Sequence, residues 1–351
     1  MLASALRRFY SHVAWQKAML LDVTHSETGA APGSPALPRT AVFVARARSA
    51  VNYITWIFNF VWTNPANERA RLRAMIRLAR FQARGRVLHK RTLVRLGDRS
   101  TLWADLHRWE ASKVAYGNLP DYAEMNAWRQ VIRPGDLFVD VGANVGSYSI
   151  WAGELGAEVI ALEPAEDTFA VLEENVALNG YTVEMIRAAA GDTCGKARFT
   201  SGLDCVNRFD PSGRVETVVV TIDSIVGDRF VTGLKIDVEG FEMQVLRGCV
   251  SALSEHRIGL IQLEWNATSM TAVGADRRPI ADFLGDYGYN LYRPDRDGTL
   301  FPLTNVDFGR DVFARPSRRR LLEDQEPAVA SALSVDNPKE TDTDPRPRSN
   351  S

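Results

Sequence analysis

The sequence predicts an α/β protein whose core is an open, mostly parallel sheet with helices on both faces. Three observations carry that expectation. From Leu137 onward, short apolar runs alternate regularly with helical stretches. The runs Leu137–Val141, Gly233–Asp237 and Ile258–Glu264 are nearly continuous in apolar residues, as strands covered on both sides require. The first run ends in a glycine-bearing turn, Asp140–Gly146, at the place where such sheets bind ligands.

Taken in order, Leu137–Val141 is the first strand of this alternation and a helix follows from Val145 to Leu155. Glu158–Leu162 is a strand, Ala165–Asn179 a helix closed by Gly180, and Val183–Ala188 a strand. Lys196–Thr200 and Glu216–Thr221 look like additional strands. After Gly233–Asp237 comes a helix from Phe241 to Glu255, then the strand Ile258–Glu264 and the helix Pro279–Tyr287. Tyr289–Tyr292 and Val312–Ala314 are placed to close the sheet as antiparallel partners.

Upstream, Pro65 opens a helix over Glu68–Gly85 with Leu72, Met75, Ile76 and Ala79 on one face and arginines around the rest. That face is expected to cover the α/β domain, in preference to an anionic membrane. Thr92–Leu96 and Thr101–Leu106 form a hairpin about Gly97–Ser100, and the helix Tyr122–Val131 stops at Arg133–Asp136. The organisation is then a variable segment over 1–65, a helix-and-hairpin cap over 66–134, the α/β domain over 135–315 and a polar tail over 316–351, expected to be disordered. Gly29–Pro38 is a linker by composition.

A net charge of -1 on 351 residues argues against a nucleic-acid partner bound through the whole surface. Cys194, Cys205 and Cys249 have no metal-ligand spacing and read as free thiols of a reducing compartment, which points to the cytoplasm. Met1–Leu21 is basic and faintly like a transit peptide, a pattern that short N-termini often show by chance. Ser49–Asn67 carries no charge and holds Trp56, Ile57, Phe58, Phe60, Val61 and Trp62. Asn52, Thr55, Asn59 and Asn64 interrupt it, so it reads as a packing or interfacial segment, and weak peripheral membrane contact stays open.

The turn at Asp140–Gly146 separates two ligand classes. A dinucleotide turn has G-x-G-x-x-G, whose second glycine lets a pyrophosphate approach the backbone. Here Asn144 stands at that place between Gly142 and Gly146, and the last glycine comes one residue early. A nucleoside carrying a sulfonium, S-adenosylmethionine, instead needs a glycine turn and tolerates acids such as Asp140 near its positive charges. Glu163, ending the second strand, is placed to accept from the two ribose hydroxyls. Asp192, after the third strand, is placed to accept from the adenine amino group. The plainer alternative is that the glycines only permit tight packing and that Glu163 caps the next helix.

Phe138–Gly146, Glu163-Pro164, Glu174–Asn179, Leu234–Glu242 with Val245–Gly248, and Leu263-Glu264 together resemble the FkbM family of methyltransferases. The resemblance runs from about Asp121 to Ala314. It implies a seven-stranded Rossmann-like methyltransferase fold, S-adenosylmethionine as donor, and O-methylation of hydroxyls on sugars, glycans or secondary metabolites. For such chemistry Asp237, Glu239 and Glu264, at the ends of adjacent strands, are the candidate bases. A divalent metal held by the same three carboxylates is the lesser alternative, because no histidine joins them, and no metal ligands are assigned. His107 with Trp109 and Tyr116 is read as cap structure in preference to a substrate lid. The competing functions are a nicotinamide-linked oxidoreductase and a membrane-docked, non-catalytic interaction protein.

Overall fold

In the computed structural model, residues 52–199, 215–265, 277–303 and 311–317 are described. The expectations for the linker, the basic N-terminus, Cys205 and the polar tail fall outside the described residues. The strands are β1 (Thr92–Leu96), β2 (Ser100–Ala104), β3 (Leu137–Val141), β4 (Glu158–Leu162), β5 (Val183–Ile186), β6 (Ala189–Ala190), β7 (Gly195–Phe199), β8 (Val215–Val220), β9 (Val231–Ile236), β10 (Ile258–Leu263), β11 (Tyr289–Pro294), β12 (Leu300–Pro302) and β13 (Val312–Pro316).

The central sheet runs β12-β11-β13-β10-β9-β3-β4-β5. β10, β9, β3, β4 and β5 are parallel, and β13, β11 and β12 join antiparallel. Strand order reverses between β3 and β9, so the crevice above their carboxyl ends is where a ligand belongs. The sheet has eight strands where seven were expected. The additional β12 is three residues long and is reached through a tight turn in which the Asp295 carboxylate accepts from the Asp297 and Thr299 N–H groups.

Two further expectations are corrected. β5 ends at Ile186, short of the expected Ala188, while the additional strands expected after it are present as β7 and β8 and pair with β6 in a separate three-stranded sheet. The expected helix Phe241–Glu255 is broken into Glu242–Arg247 and Val250–Ser254. The break lies at Gly248, where a Cβ would stand 2.1 Å from the Gly191 carbonyl oxygen. Only a glycine allows that approach to the end of β6.

Side chains alternate across the sheet and divide the core in two. Phe138 faces a cluster with Trp128, Trp151 and the cap, while Val139 and Val141 face a second cluster with Leu246, Leu263 and Trp265. Against the cap, residues 52–63 are helical and bury Trp56, Ile57 and Val61. A 3-10 turn at Pro65–Ala70 leads into the helix Arg71–Leu88. That helix packs inward through Ala74 and Phe81, with Phe81 edge-on to Tyr116 at 5.8 Å, whereas Leu72 and Ile76 are exposed. The inward face therefore differs from the one expected, because the Tyr116 ring and the Ala115 carbonyl, which accepts from Arg77 Nε at 2.9 Å, fix the helix rotation.

Side chains of the α/β domain latch the hairpin. Asn175 Oδ1 accepts from Trp103 N at 2.8 Å and its amide donates to Val145 O, while Asn179 accepts from and donates to the backbone of Thr101. An edge strand is thus satisfied by amides instead of a further strand. Glu154, ending the helix Ser147–Glu154, accepts from the N–H groups of Asp98, Arg99 and Ser100 and from the Ser100 hydroxyl. Burial works against its charge, but these donors outweigh burial and hold its carboxyl below the ordinary value of 4.5. Because the folded pKa is lowered, this stabilisation is complete above the unfolded value and is lost as pH falls through the folded one. Glu154→Gln should therefore cost about 2–3 kcal/mol in neutral denaturant titrations, and the deficit should shrink in acid.

Candidate functional site

The glycine turn is built by backbone before any side chain acts. Gly142 N and Ala143 N both donate to Leu162 O, at 3.0 and 2.9 Å, which folds the end of β3 over the end of β4. Gly142 has φ +78°, and a Cβ there would lie 2.0 Å from the Asp237 carbonyl oxygen. Asn144 also takes a left-handed φ of +50°, with its side-chain oxygen accepting from Val145 N at 2.8 Å, a conformation that asparagine tolerates better than most residues. Gly146, at φ +90°, opens the helix Ser147–Glu154 against Leu172.

Glu163 is buried with its carboxylate across this turn. Oε2 accepts from Asn144 N at 3.1 Å and Oε1 from Ala165 N at 2.9 Å, so it joins the turn to the start of the helix Glu166–Ala177. Asp192 lies in an exposed loop after β6, where it accepts from Thr193 Oγ1.

Asp140 is wholly buried, with Oδ2 accepting from Ser149 Oγ at 2.6 Å. Lys235, on the neighbouring β9, sits 3.8 Å from Asp140 and 3.0 Å from Asp237. Burial acts to neutralise this lysine, but the Asp237 and Asp140 carboxylates overcome it and hold its pKa above the ordinary value. Asp140 is shifted the unfavourable way, its pKa raised by burial against the pull of Lys235. The distances explain the asymmetry, since the ammonium leans toward Asp237.

Asp237, Glu239 and Glu264 come together, each offering a carboxylate oxygen within 4.8 Å of the others. Glu239 and Glu264 are buried, while the Asp237 side chain keeps 36% of its surface open. Glu239 has φ +54°, a strained conformation for a residue with a side chain. The loop is anchored by Glu242, fully buried, which accepts from Gly240 N and from Arg277 at 2.6 Å.

On the cap side of these carboxylates lies a buried polar network. Gln262, next to last in β10, accepts from Trp128 Nε1 and donates to Tyr148 Oη and to Asp311 Oδ2 at 2.7 Å. Tyr148 Oη donates to Asp121, and its ring covers the Lys235 ammonium at 4.8 Å. Lys113 bridges Glu110 and Asp121 at 2.9 and 3.4 Å. Although Asp311 retains some solvent contact, burial and then the carboxylates of Glu124, Asp237 and Asp121 push its pKa up to about 8.

Residues 140–291 match the family model described as the Methyltransferase FkbM domain. Over that segment the chain is similar to the FkbM methyltransferases. It is 31% identical to the hexuronic acid methyltransferase AglP of Haloferax volcanii, over 43% of this chain and 62% of that protein. It is 28% identical to the 31-O-demethyl-FK506 methyltransferase FkbM of Streptomyces tacrolimicus, over 34% of this chain and 62% of that protein. The matches thus span less than two thirds of either relative's length. Among solved structures, the chain is similar to a TehB-like SAM-dependent methyltransferase from Corynebacterium glutamicum, with 11% identity and a TM-score of 0.37 over 60% of this chain and 95% of that one.

The FkbM domain holds every site residue expected from sequence, and the structure joins them into two groups: Glu163 bonded to the glycine turn, and the Asp237, Glu239 and Glu264 cluster. Asp140 touches Lys235 and Ser149, and Asp192 stands apart in its loop. Lys235, Tyr148, Gln262, Glu242 and Asp311 were missed. A signal existed for two of them, since a lysine and a glutamine inside apolar strands demand buried partners. Glu110, Lys113, Asp121 and Asp311 lie outside the matched segment. His107 is exposed, and Trp109 and Tyr116 pack with Trp56 and Phe81 in the cap.

Gly142→Ala should lower the melting temperature by several degrees, as expected for about 1–3 kcal/mol of backbone strain. For Asp311 the sign is opposite to that of Glu154. Its folded pKa of about 8 exceeds the ordinary 3.8, so the folded chain keeps a proton that the unfolded chain releases. Wild-type stability should therefore fall relative to Asp311→Asn as pH rises between those two values, a trend readable from melting curves across that range.

Proposed function

We propose that this chain is an S-adenosylmethionine-dependent O-methyltransferase acting on a hydroxyl of a small polyhydroxylated acceptor, a sugar, glycan or secondary metabolite. The observation that carries the reading is the Glu163 carboxylate held across the Gly142–Gly146 turn, at the reversal of strand order and beside three clustered carboxylates. The residues fit the donor. Glu163 would accept from ribose hydroxyls, the turn backbone would take the methionine portion, and Asp192 would reach the adenine amino group. S-adenosylmethionine, when bound, supplies a methyl group made electrophilic by its sulfonium. Asn144 in place of a second glycine, together with the family match, disfavours the nicotinamide reading.

Asp237 is the base this reading favours. It alone of the three clustered carboxylates is substantially open to solvent, and Lys235 fixes its orientation at 3.0 Å. Its open carboxylate is placed to take the proton of an acceptor hydroxyl, with Glu239 and Glu264 on one side and the Lys235 ammonium on the other. Asp237, Glu239, Glu264, Asp121 and Glu110 stand against Lys113 and Lys235 among the described residues, while Asp311 holds its proton until about pH 8. That balance favours a neutral or amine-bearing acceptor over an anionic one.

Calorimetry should show binding of S-adenosylhomocysteine and none of NAD; a chain that ignores the former sinks the proposal. Asp237→Asn should lower kcat by about 10²–10⁴-fold while leaving S-adenosylhomocysteine affinity within about twofold.

A further inference from the structure

The helix Arg71–Leu88 has a second apolar face that the fold does not use. Leu72, Ile76 and Val87 are 74%, 50% and 73% exposed, and Ala79 and Ala83 between them are exposed as well. At 3.6 residues per turn these five positions form one stripe, opposite the face that buries Ala74 and Phe81. Arg73, Arg80 and Arg84 line one flank and Arg86 the other. The preceding helix, residues 52–63, adds Ile54, Phe58 and Trp62, all exposed and one turn apart. Phe58 stacks on Trp62 at 5.8 Å, and the Arg71 guanidinium covers the Trp62 ring at 5.5 Å, joining the two stripes.

We infer that this face is a docking surface for an anionic lipid bilayer, on which the chain lies peripherally. Charge selects the occupant. Residues 52–91 hold nine lysines and arginines against a single acid, Glu68, which is engaged by Arg296. Apolar side chains flanked by arginines, with aromatics at one end, match the boundary between acyl chains and anionic headgroups. A second copy of this chain would set like charges against each other across a two-fold contact. Nucleic acid would use the arginines and leave the apolar stripe in water. No helix of the described residues is long and apolar enough to cross a membrane, so the contact is interfacial. The inference is independent of the catalytic reading.

Flotation of the full chain with vesicles tests it. Vesicles of phosphatidylcholine containing about a third phosphatidylglycerol should capture the chain at least about tenfold better than phosphatidylcholine alone. The double variant Leu72→Gln with Ile76→Gln, and separately Phe58→Gln, should lose about tenfold in capture with unchanged melting temperature, because these side chains are exposed. Arg73→Gln with Arg80→Gln should weaken capture most at low salt. Equal capture by both vesicle types, or none, overturns the inference. So does a dimer in light scattering that the Leu72 and Ile76 variants dissociate, or RNA binding that survives those variants.

Discussion

Lys235 is an ammonium buried in the centre of the sheet, with 5% of its side chain exposed and carboxylates on either side. A buried ion pair adds little net stability, since desolvation offsets attraction, but removing one member leaves an unpaired charge in the core. Its effect is therefore positional. Asp140 is next to last in β3, Asp237 follows β9, and Tyr148 is in the first turn of the helix after the glycine turn; all three converge on one cation. The glycine turn, the Asp237 carboxylate and the polar network around Gln262 are thereby referred to a single point.

The cap belongs to the same construction. Its hairpin is held by Glu154, Asn175 and Asn179, and its aromatic residues share a core with Trp128, Trp151 and Phe138. Glu110 and Lys113, on the helix Trp109–Tyr116, feel the charge of Asp237. The helix Arg71–Leu88 is tied to that same helix through Arg77 and Ala115, so one layer of cap separates the inferred lipid-facing stripe from the charged wall. A chain docked by that stripe would hold its carboxylate cluster at a set height and orientation above the bilayer.

Much of the α/β domain was legible because its signals are short-range. Two-sided apolar strands, the glycine turn, Glu163 at a strand end and Asp237 at another can each be read from neighbours a few residues apart. The helix Tyr122–Val131, the hairpin and the antiparallel closure by β11 and β13 follow the same logic. The rotation of the helix Arg71–Leu88 did not, because both of its faces are apolar and period alone cannot choose between them.

The sequence by itself determined the alternation of strands and helices in the α/β domain, the glycine turn after its first strand and which acids end the central strands. Tertiary structure decided the eighth strand, the separate sheet of β6, β7 and β8, and the choice of Asp237 as the accessible carboxylate. It also decided the polar network: Gln262 meets Asp311 across 49 positions and Trp128 across 134. Propensity and turn chemistry act over one or two turns of chain, whereas the partner of a buried polar group is set by strand order.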